Sequence, residues 1–240
     1  YGVWVAGSAQ AGSLLLNTIC DTTGDGVFLC LSAADHIQSN TITDCDGAGL
    51  HIGPESDVFS GSVTDNELSG NGSGVCWEGV PGTWLWSNDI HDNQGAGVAV
   101  VGDGHLLILF NSTYDNGGLG IDLGNDGVTA NDVDDLDTGP NDLLNFPQVT
   151  SIQMVGGDYV LQGTAPPDCV VDVYSGGSDP SGYGEGEAWV TSEFADSAGA
   201  FTVTVPSAEM PVSMTASLGA DTSEFSAWKK PTALVLQDAT

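Results

Sequence analysis

Asn88-Asp89-Ile90, Asp92-Asn93 and Gly97-Val98 follow one another within 11 residues, and the same three markers return 23 residues later as Asn111, Asp115-Asn116-Gly117 and Gly120-Ile121. Working back toward the N-terminus, the asparagine recurs at Asn66, Asn40 and Asn17, and the turn recurs as Asn71-Gly72 and Asp44-Cys45-Asp46-Gly47. The glycine-aliphatic pair recurs at Gly2-Val3, Gly26-Val27, Gly49-Leu50 and Gly74-Val75, giving steps of 24, 23, 25, 23 and 23 along the whole series. A fixed period of this size is the mark of a solenoid.

Each cycle holds short runs of alternating aliphatic residues, such as Val98-Ala99-Val100-Val101 and Leu106-Leu107-Ile108-Leu109, separated by Gly, Asp, Asn and Ser. No stretch has the 3.6-residue apolar period of a helix. Strands this short must stack on their neighbours, and successive coils then pair as parallel strands about 4.8 Å apart. Crossovers within a parallel sheet are right-handed. The reading is an all-β fold: a right-handed parallel β-helix of about five coils of ~23 residues, followed by a C-terminal antiparallel β-sandwich. The recurring Asn predicts a ladder of stacked amides, and the recurring Gly predicts a corner with positive φ.

The composition limits function. Thirty-three acidic residues face two lysines, Lys229 and Lys230, with no arginine, for a net charge of -31. Such a chain neutralises no phosphates, which excludes nucleic acid and anionic membrane as partners. The self-repulsion calls for divalent cations, high salt or both. No 18-residue apolar run marks a membrane span and no leader precedes the repeat, so a soluble, mature or excised piece is expected. The cysteines, Cys20, Cys30, Cys45, Cys76 and Cys169, lack the paired spacing of a zinc site; one disulfide among Cys20, Cys45 and Cys76 is expected, with buried thiols as the alternative. His36, His51, His91 and His105 fall at differing phases of the coil, so no cluster of histidines around a metal is expected.

After Gly120 the cadence breaks, and ten Asp or Asn residues fall within the 21 positions from Asp122 to Asp142. Oxygen ligands at alternate positions, with glycines at the bends, suit a hard cation. Calcium is the cofactor expected, with Asp122, Asp126, Asp132, Asp134, Asp135, Asp137 and Asn141 as candidate ligands. The EF-hand match is partial, since no Glu closes the loop, and the alternative is a solvated acidic linker. From about Phe146, strand-like runs recur at Asp158–Gln162, Val170–Tyr174, Ala188–Thr191, Ala200–Val205 and Val212–Ala216. The boundaries read as β-helix over 1–124, acidic junction loop over 125–146, Ig-like sandwich over 147–228 and a tail over 229–240. The sandwich is expected to pack end-on and cover the last coil, whose backbone is otherwise unpaired.

Gly118-Leu119-Gly120-Ile121-Asp122-Leu123-Gly124-Asn125-Asp126-Gly127, then Asp137-Thr138-Gly139-Pro140-Asn141 and Leu144-Asn145-Phe146-Pro147, resemble the junction in large bacterial and archaeal surface proteins with right-handed parallel β-helix repeats. Ser181-Gly182-Tyr183-Gly184-Glu185-Gly186 and Thr222-Ser223-Glu224-Phe225-Ser226 resemble motifs of the small β-sandwich that follows the helix there. The resemblance covers roughly residues 90 to 227. It implies a secreted, extracellular or cell-surface location in a larger parent protein, usually without an assigned activity. The lack of basic residues and the five cysteines depart from that pattern.

Parallel β-helices include polysaccharide lyases and hydrolases, so fold alone leaves an enzyme open. Elimination on a uronide needs a cation beside the substrate carboxylate, and both lysines lie outside the coils. Acid-base hydrolysis needs paired carboxylates; the candidates are Asp89, His91, Asp92, Asp103, His105 and Asp115, several of which also suit repeated turns. Trp77, Trp84 and Trp86 fall in one coil, and Trp84 and Trp86 share one side of their strand, either as core or as a platform for sugar rings. The primary expectation is a non-catalytic structural or adhesive surface or filament subunit. The alternative is a carbohydrate-binding or polysaccharide-degrading β-helix. An open first coil and a strand-like tail at Thr232 to Thr240 suggest head-to-tail self-association by a donated strand.

Overall fold

The computed structural model describes residues 1–6, 10–30, 33–34, 36–54, 62–79, 81–177 and 179–231. Three parallel sheets form the walls of a solenoid. The first stacks Val3–Ala6, Val27–Cys30, Ala48–Ile52, Ser73–Trp77, Val98–Val100 and Ile121–Leu123. The second stacks Leu14–Leu15, His36–Gln38, Ser62–Thr64, Trp84–Trp86 and Leu107–Leu109, and the third Thr18–Cys20, Thr41–Thr43, Glu67–Ser69, Asp89–His91 and Ser112–Tyr114. In the first sheet Val3, Val27, Leu50, Val75, Val98 and Ile121 are register partners, which are the aliphatic members of the glycine pairs.

The repeat is built on stacking inside and at the corners. In the second and third sheets the middle residue of each three-residue strand points inward, so that Ile37, Val63, Leu85 and Ile108 form one buried column and Ile42, Leu68 and Ile90 another. The expected asparagine ladder is present: the backbone N and Nδ2 of Asn17, Asn40, Asn66 and Asn88 each donate to Oδ1 of the next asparagine, ending at Asn111, at 2.9–3.0 Å. A second ladder runs at the turn marker, from Cys45 through Asn71 and Asn93 to Asn116. These amides satisfy corner N–H groups that no strand pairs.

The recurring glycines have a different cause from the one expected. The positive-φ corners are Leu16, Ser39, Asp65, Ser87 and Phe110, each just before a first-ladder asparagine, and Asp21, Asp44, Gly70, Asp92 and Asp115 at the next corner, the last four each just before a second-ladder position. Gly26, Gly49, Gly74, Gly97 and Gly120 are absent from that set; the first four are required because coils approach closely there, and Gly120 faces the Phe225 ring of the sandwich. A Cβ on Gly26 would meet the Gly49 carbonyl oxygen at 2.7 Å, and one on Gly97 would meet that of Gly120 at 2.8 Å.

The disulfide expectation is also corrected, because all five cysteines are free. Cys20 is an exposed residue of the third sheet, Cys45 is buried at a ladder corner and Cys76 lies in the first sheet, so the coil sends them to different walls.

Beyond residue 147 the chain is antiparallel. Gln148–Val155, Asp158–Thr164 and Ala200–Val205 form one sheet, and Ala188–Phe194, Val170–Ser175, Val212–Leu218 and Asp221–Thr222 the other. Leu161, Phe201, Val203 and Val205 of the first pack with Val171, Val173, Met214 and Ala216 of the second in one core. All five expected strands are present. Gln148–Val155 was not anticipated as a strand of its own; it is a largely exposed partner in a hairpin turned by Gly156-Gly157.

The sandwich and the junction loop together cover the last coil. Tyr174 Oη accepts from Phe110 N, Thr222 Oγ1 from Ile108 N, Asn141 Oδ1 from Leu106 N, the Gly186 carbonyl from Thr113 N, and Glu185 from Asp115 N and Asn116 N. The coil core continues into the sandwich through Tyr174 and Phe225. The donated-strand reading falls on Thr232 to Thr240, which lie outside the described residues. Within the rest of the tail, Lys229 pairs through its backbone with Val212.

Candidate functional site

The strand Trp84–Trp86 follows the inward-middle pattern of its sheet, so Leu85 enters the core and both tryptophans face outward. Trp84 is 49% and Trp86 39% exposed, which removes the core reading for this pair. Trp77 is different: it is fully buried, and its Nε1 donates to the Gly79 carbonyl. The outward indoles extend into a row. Trp84 and Trp86 have ring centroids 6.3 Å apart, Trp86 and Phe110 5.6 Å, and Phe110 and Trp189 5.1 Å, the last pair edge to face. Trp189 belongs to the sandwich and is 46% exposed, so the row crosses from one wall of the solenoid onto the second domain.

A shallow cleft of about 470 Å³ flanks the row, lined by Asp89, Phe110, Ser112, Tyr114, Glu187 and Ala188 among others. Ser112 Oγ donates to the Glu187 carbonyl at 2.6 Å and fixes its far wall. Tyr114 stacks on His91 with centroids 4.8 Å apart, and His91 Nδ1 lies 2.8 Å from Asp92 Oδ2. Burial first, and then the Asp89 carboxylate, hold the Tyr114 phenol above its ordinary range, so it stays a neutral donor. Oδ1 of Asp89 is buried with no hydrogen-bond partner among the described residues. The cleft therefore offers flat apolar faces, hydroxyls and carboxylates, and no lysine lines it: Lys229 and Lys230 lie in the tail, with Lys230 Nζ 5.5 Å from the Trp228 ring.

The other acid-base candidates disperse. Asp92 and Asp115 are positive-φ corner residues, His105 pins the coil to the sandwich through Asp221 at 2.6 Å, and Asp103 is exposed elsewhere.

Of the seven residues read as calcium ligands, Asp132, Asp135 and Asp137 come together, with carboxylate oxygens within 4.8 Å of one another. Asp135 Oδ1 accepts from Asn145 N at 2.9 Å and Asp132 Oδ2 from Leu136 N at 3.1 Å, while Asp137 Oδ1 has no partner among the described residues. Burial, and then neighbouring carboxylates, raise the Asp135 and Asp137 carboxyls above the usual range. Asp122 is not in this group: its Oδ1 accepts from the Asp126 and Gly127 amides in a turn of its own. Asp126 and Asp134 are exposed. Asn141 is fully buried, and its amide is occupied by Leu106 N, the Leu106 carbonyl and the Thr222 carbonyl, which makes it a clamp between loop, coil and sandwich.

Two constellations escaped the sequence reading, and in one of them His105, Asp142 and Asp221 bring ligand atoms within 4.8 Å of one another where coil, junction loop and sandwich meet. His51, Cys76 and Glu78 also bring ligand atoms within 4.8 Å of one another, on the outer face of the first sheet. The signal was the register: His51 and Cys76 are 25 residues apart, the same as the local coil step from Gly49 to Gly74.

A family model described as the right-handed beta helix region matches residues 1–137. No curated protein matches the chain. Among the described residues no helix is long and apolar enough to cross a membrane.

Proposed function

The chain belongs to the right-handed β-helix family, and from that premise we propose that it is a non-catalytic extracellular scaffold that adheres to neutral polysaccharide. The observation that carries this reading is the surface row Trp84, Trp86, Phe110 and Trp189, exposed at its three indoles and half-buried at Phe110, whose steps of 5.1–6.3 Å are on the scale of single sugar rings. Aromatic faces cover the apolar side of a pyranose and remove both surfaces from water. Neutral glycans are favoured because a charge of -31 repels uronate and sulfate chains. The non-catalytic assignment is supported by the absence of arginine and by a cleft lining that holds neither lysine. The resemblance of the junction to bacterial and archaeal surface proteins supports the extracellular assignment. Calcium at Asp132, Asp135 and Asp137 would brace the junction loop, as oxygen-only ligand sets do for hard cations.

A second reading, polysaccharide cleavage, is favoured by Asp89 and Glu187 lining the same cleft. One experiment separates the two: incubation with soluble neutral glucans, mannans and xylans, followed by affinity electrophoresis and an assay for new reducing ends. Retardation without new reducing ends supports the adhesive scaffold. New reducing ends that disappear in Glu187→Gln support cleavage, and no retardation by any glycan removes the proposal.

A further inference from the structure

On the outer face of the first sheet, Phe28, His51, Cys76 and Ala99 follow one another in register across four coils. His51 and Cys76 are direct cross-strand partners, so their side chains share that face. Glu78 lies two residues beyond Cys76, and its N donates to the Ile52 carbonyl at 2.8 Å, which prolongs the strand pairing and returns its side chain to the same face. Asp25 comes from the preceding coil. Its Oδ1 is held by Ala48 N at 2.9 Å, and its Oδ2 lies 3.0 Å from His51 Nδ1. That contact aims Nε2 at Glu78, whose Oε1 is 3.1 Å away. The edge of Phe28 braces the imidazole at a centroid distance of 4.7 Å.

We infer that His51 Nε2, Cys76 Sγ and a Glu78 carboxylate oxygen form a zinc-type metal site, with Asp25 as the group that orients the histidine. One imidazole, one thiolate and one carboxylate match a borderline-soft ion and leave a fourth, open position; a calcium site would hold oxygen alone. A carboxylate on the far nitrogen of a ligating histidine fixes its tautomer and ring orientation. Binding displaces the Cys76 thiol proton and any proton shared between Nε2 and Glu78, both of which pass to solvent. The site lies on a different wall from the Trp84–Trp86 row, so it does not depend on the proposed glycan function.

Cobalt(II) added to the whole reduced chain tests this. The expected result is one cobalt per chain, with a thiolate-to-cobalt charge-transfer band in the near ultraviolet that zinc abolishes and excess calcium leaves unchanged. Cys76→Ser removes the band, Cys20→Ser, at an exposed thiol, retains it, and Asp25→Asn weakens cobalt binding by roughly 10- to 100-fold. Glu78→Gln, a half-exposed position, supplies a variant whose folding is not at risk and also lowers affinity. No band, a band that survives Cys76→Ser, or equal affinity in Glu78→Gln and the parent would overturn the assignment.

Discussion

Glu185 stands one coil's distance beyond Asn116 and takes the place of the next asparagine in the second ladder. Its Oε1 accepts from Asn116 N at 3.1 Å and Asn116 Nδ2 at 3.3 Å, as Asn116 Oδ1 accepts from Asn93 N at 3.2 Å and Nδ2 at 2.9 Å. Its second oxygen takes Asp115 N at 3.0 Å. The sandwich therefore ends the solenoid by imitating the repeat it terminates. Glu185→Ala strands these donors, and unpaired buried donors cost about 1–3 kcal/mol each. Urea unfolding should show a loss of roughly 2–5 kcal/mol, with the coil and sandwich melting apart. A variant within 0.5 kcal/mol of the parent (a bound on the order of an ordinary surface change) would show that the cap is not a stabilising element.

The close coil contacts predict a contrast between glycines. Gly26→Ala meets the Gly49 carbonyl and Ile42 and should destabilise by about 1–3 kcal/mol or more. Gly177→Ala, where nothing lies within 4 Å, should be near neutral. Equal melting temperatures for the two variants would contradict the steric account.

Glu224 gives a pH dependence with a definite sign. Burial carries its carboxyl from 4.5 up to about 7, against the pull of the Thr129 and Leu123 amides that it accepts. The folded state therefore holds the proton more tightly than the unfolded chain does. This group's contribution is complete below pH 4.5 and is lost as pH climbs through about 7. The loss amounts to roughly 3 kcal/mol. Glu224→Gln should flatten that part of the stability profile; parallel profiles for parent and variant would refute the assignment.

Calcium should raise the thermal midpoint, and excess EGTA should lower it, by the linkage of about 2.7 kcal/mol that a ligand at a hundred times its Kd supplies. Asp135→Asn should abolish the difference. A midpoint indifferent to calcium would leave the Asp132, Asp135 and Asp137 loop as a solvated turn.

Much of this fold was legible because a solenoid writes its register into the chain. The spacing from Val3 to Ile121 gives the strand pairing residue for residue, and Asn17 to Asn111 gives the first ladder. Local spacing does not say why a residue recurs. The glycines were read as corners, yet the corners tolerate Leu16 and Phe110, and the glycines answer to the neighbouring coil. Alternation put Trp84 and Trp86 on one side without saying which; Leu85 in the core decides it. The acidic run offered seven ligands, but only the loop's own folding selects Asp132, Asp135 and Asp137 and turns Asn141 into a clamp. The row's last member, Trp189, lies over 100 residues from Trp84, beyond any local pattern.

The most direct measurement of the central claim is the affinity for the best-retained neutral polysaccharide in the parent, the double variant Trp84→Ala with Trp86→Ala, and Trp189→Ala. Each indole is exposed, so the fold should survive, and unchanged thermal midpoints would verify it. The account predicts a loss of about 10-fold or more per ring removed, the factor that roughly 1.4 kcal/mol of lost contact produces. Undiminished binding by the double variant would place the glycan elsewhere and contradict the proposal.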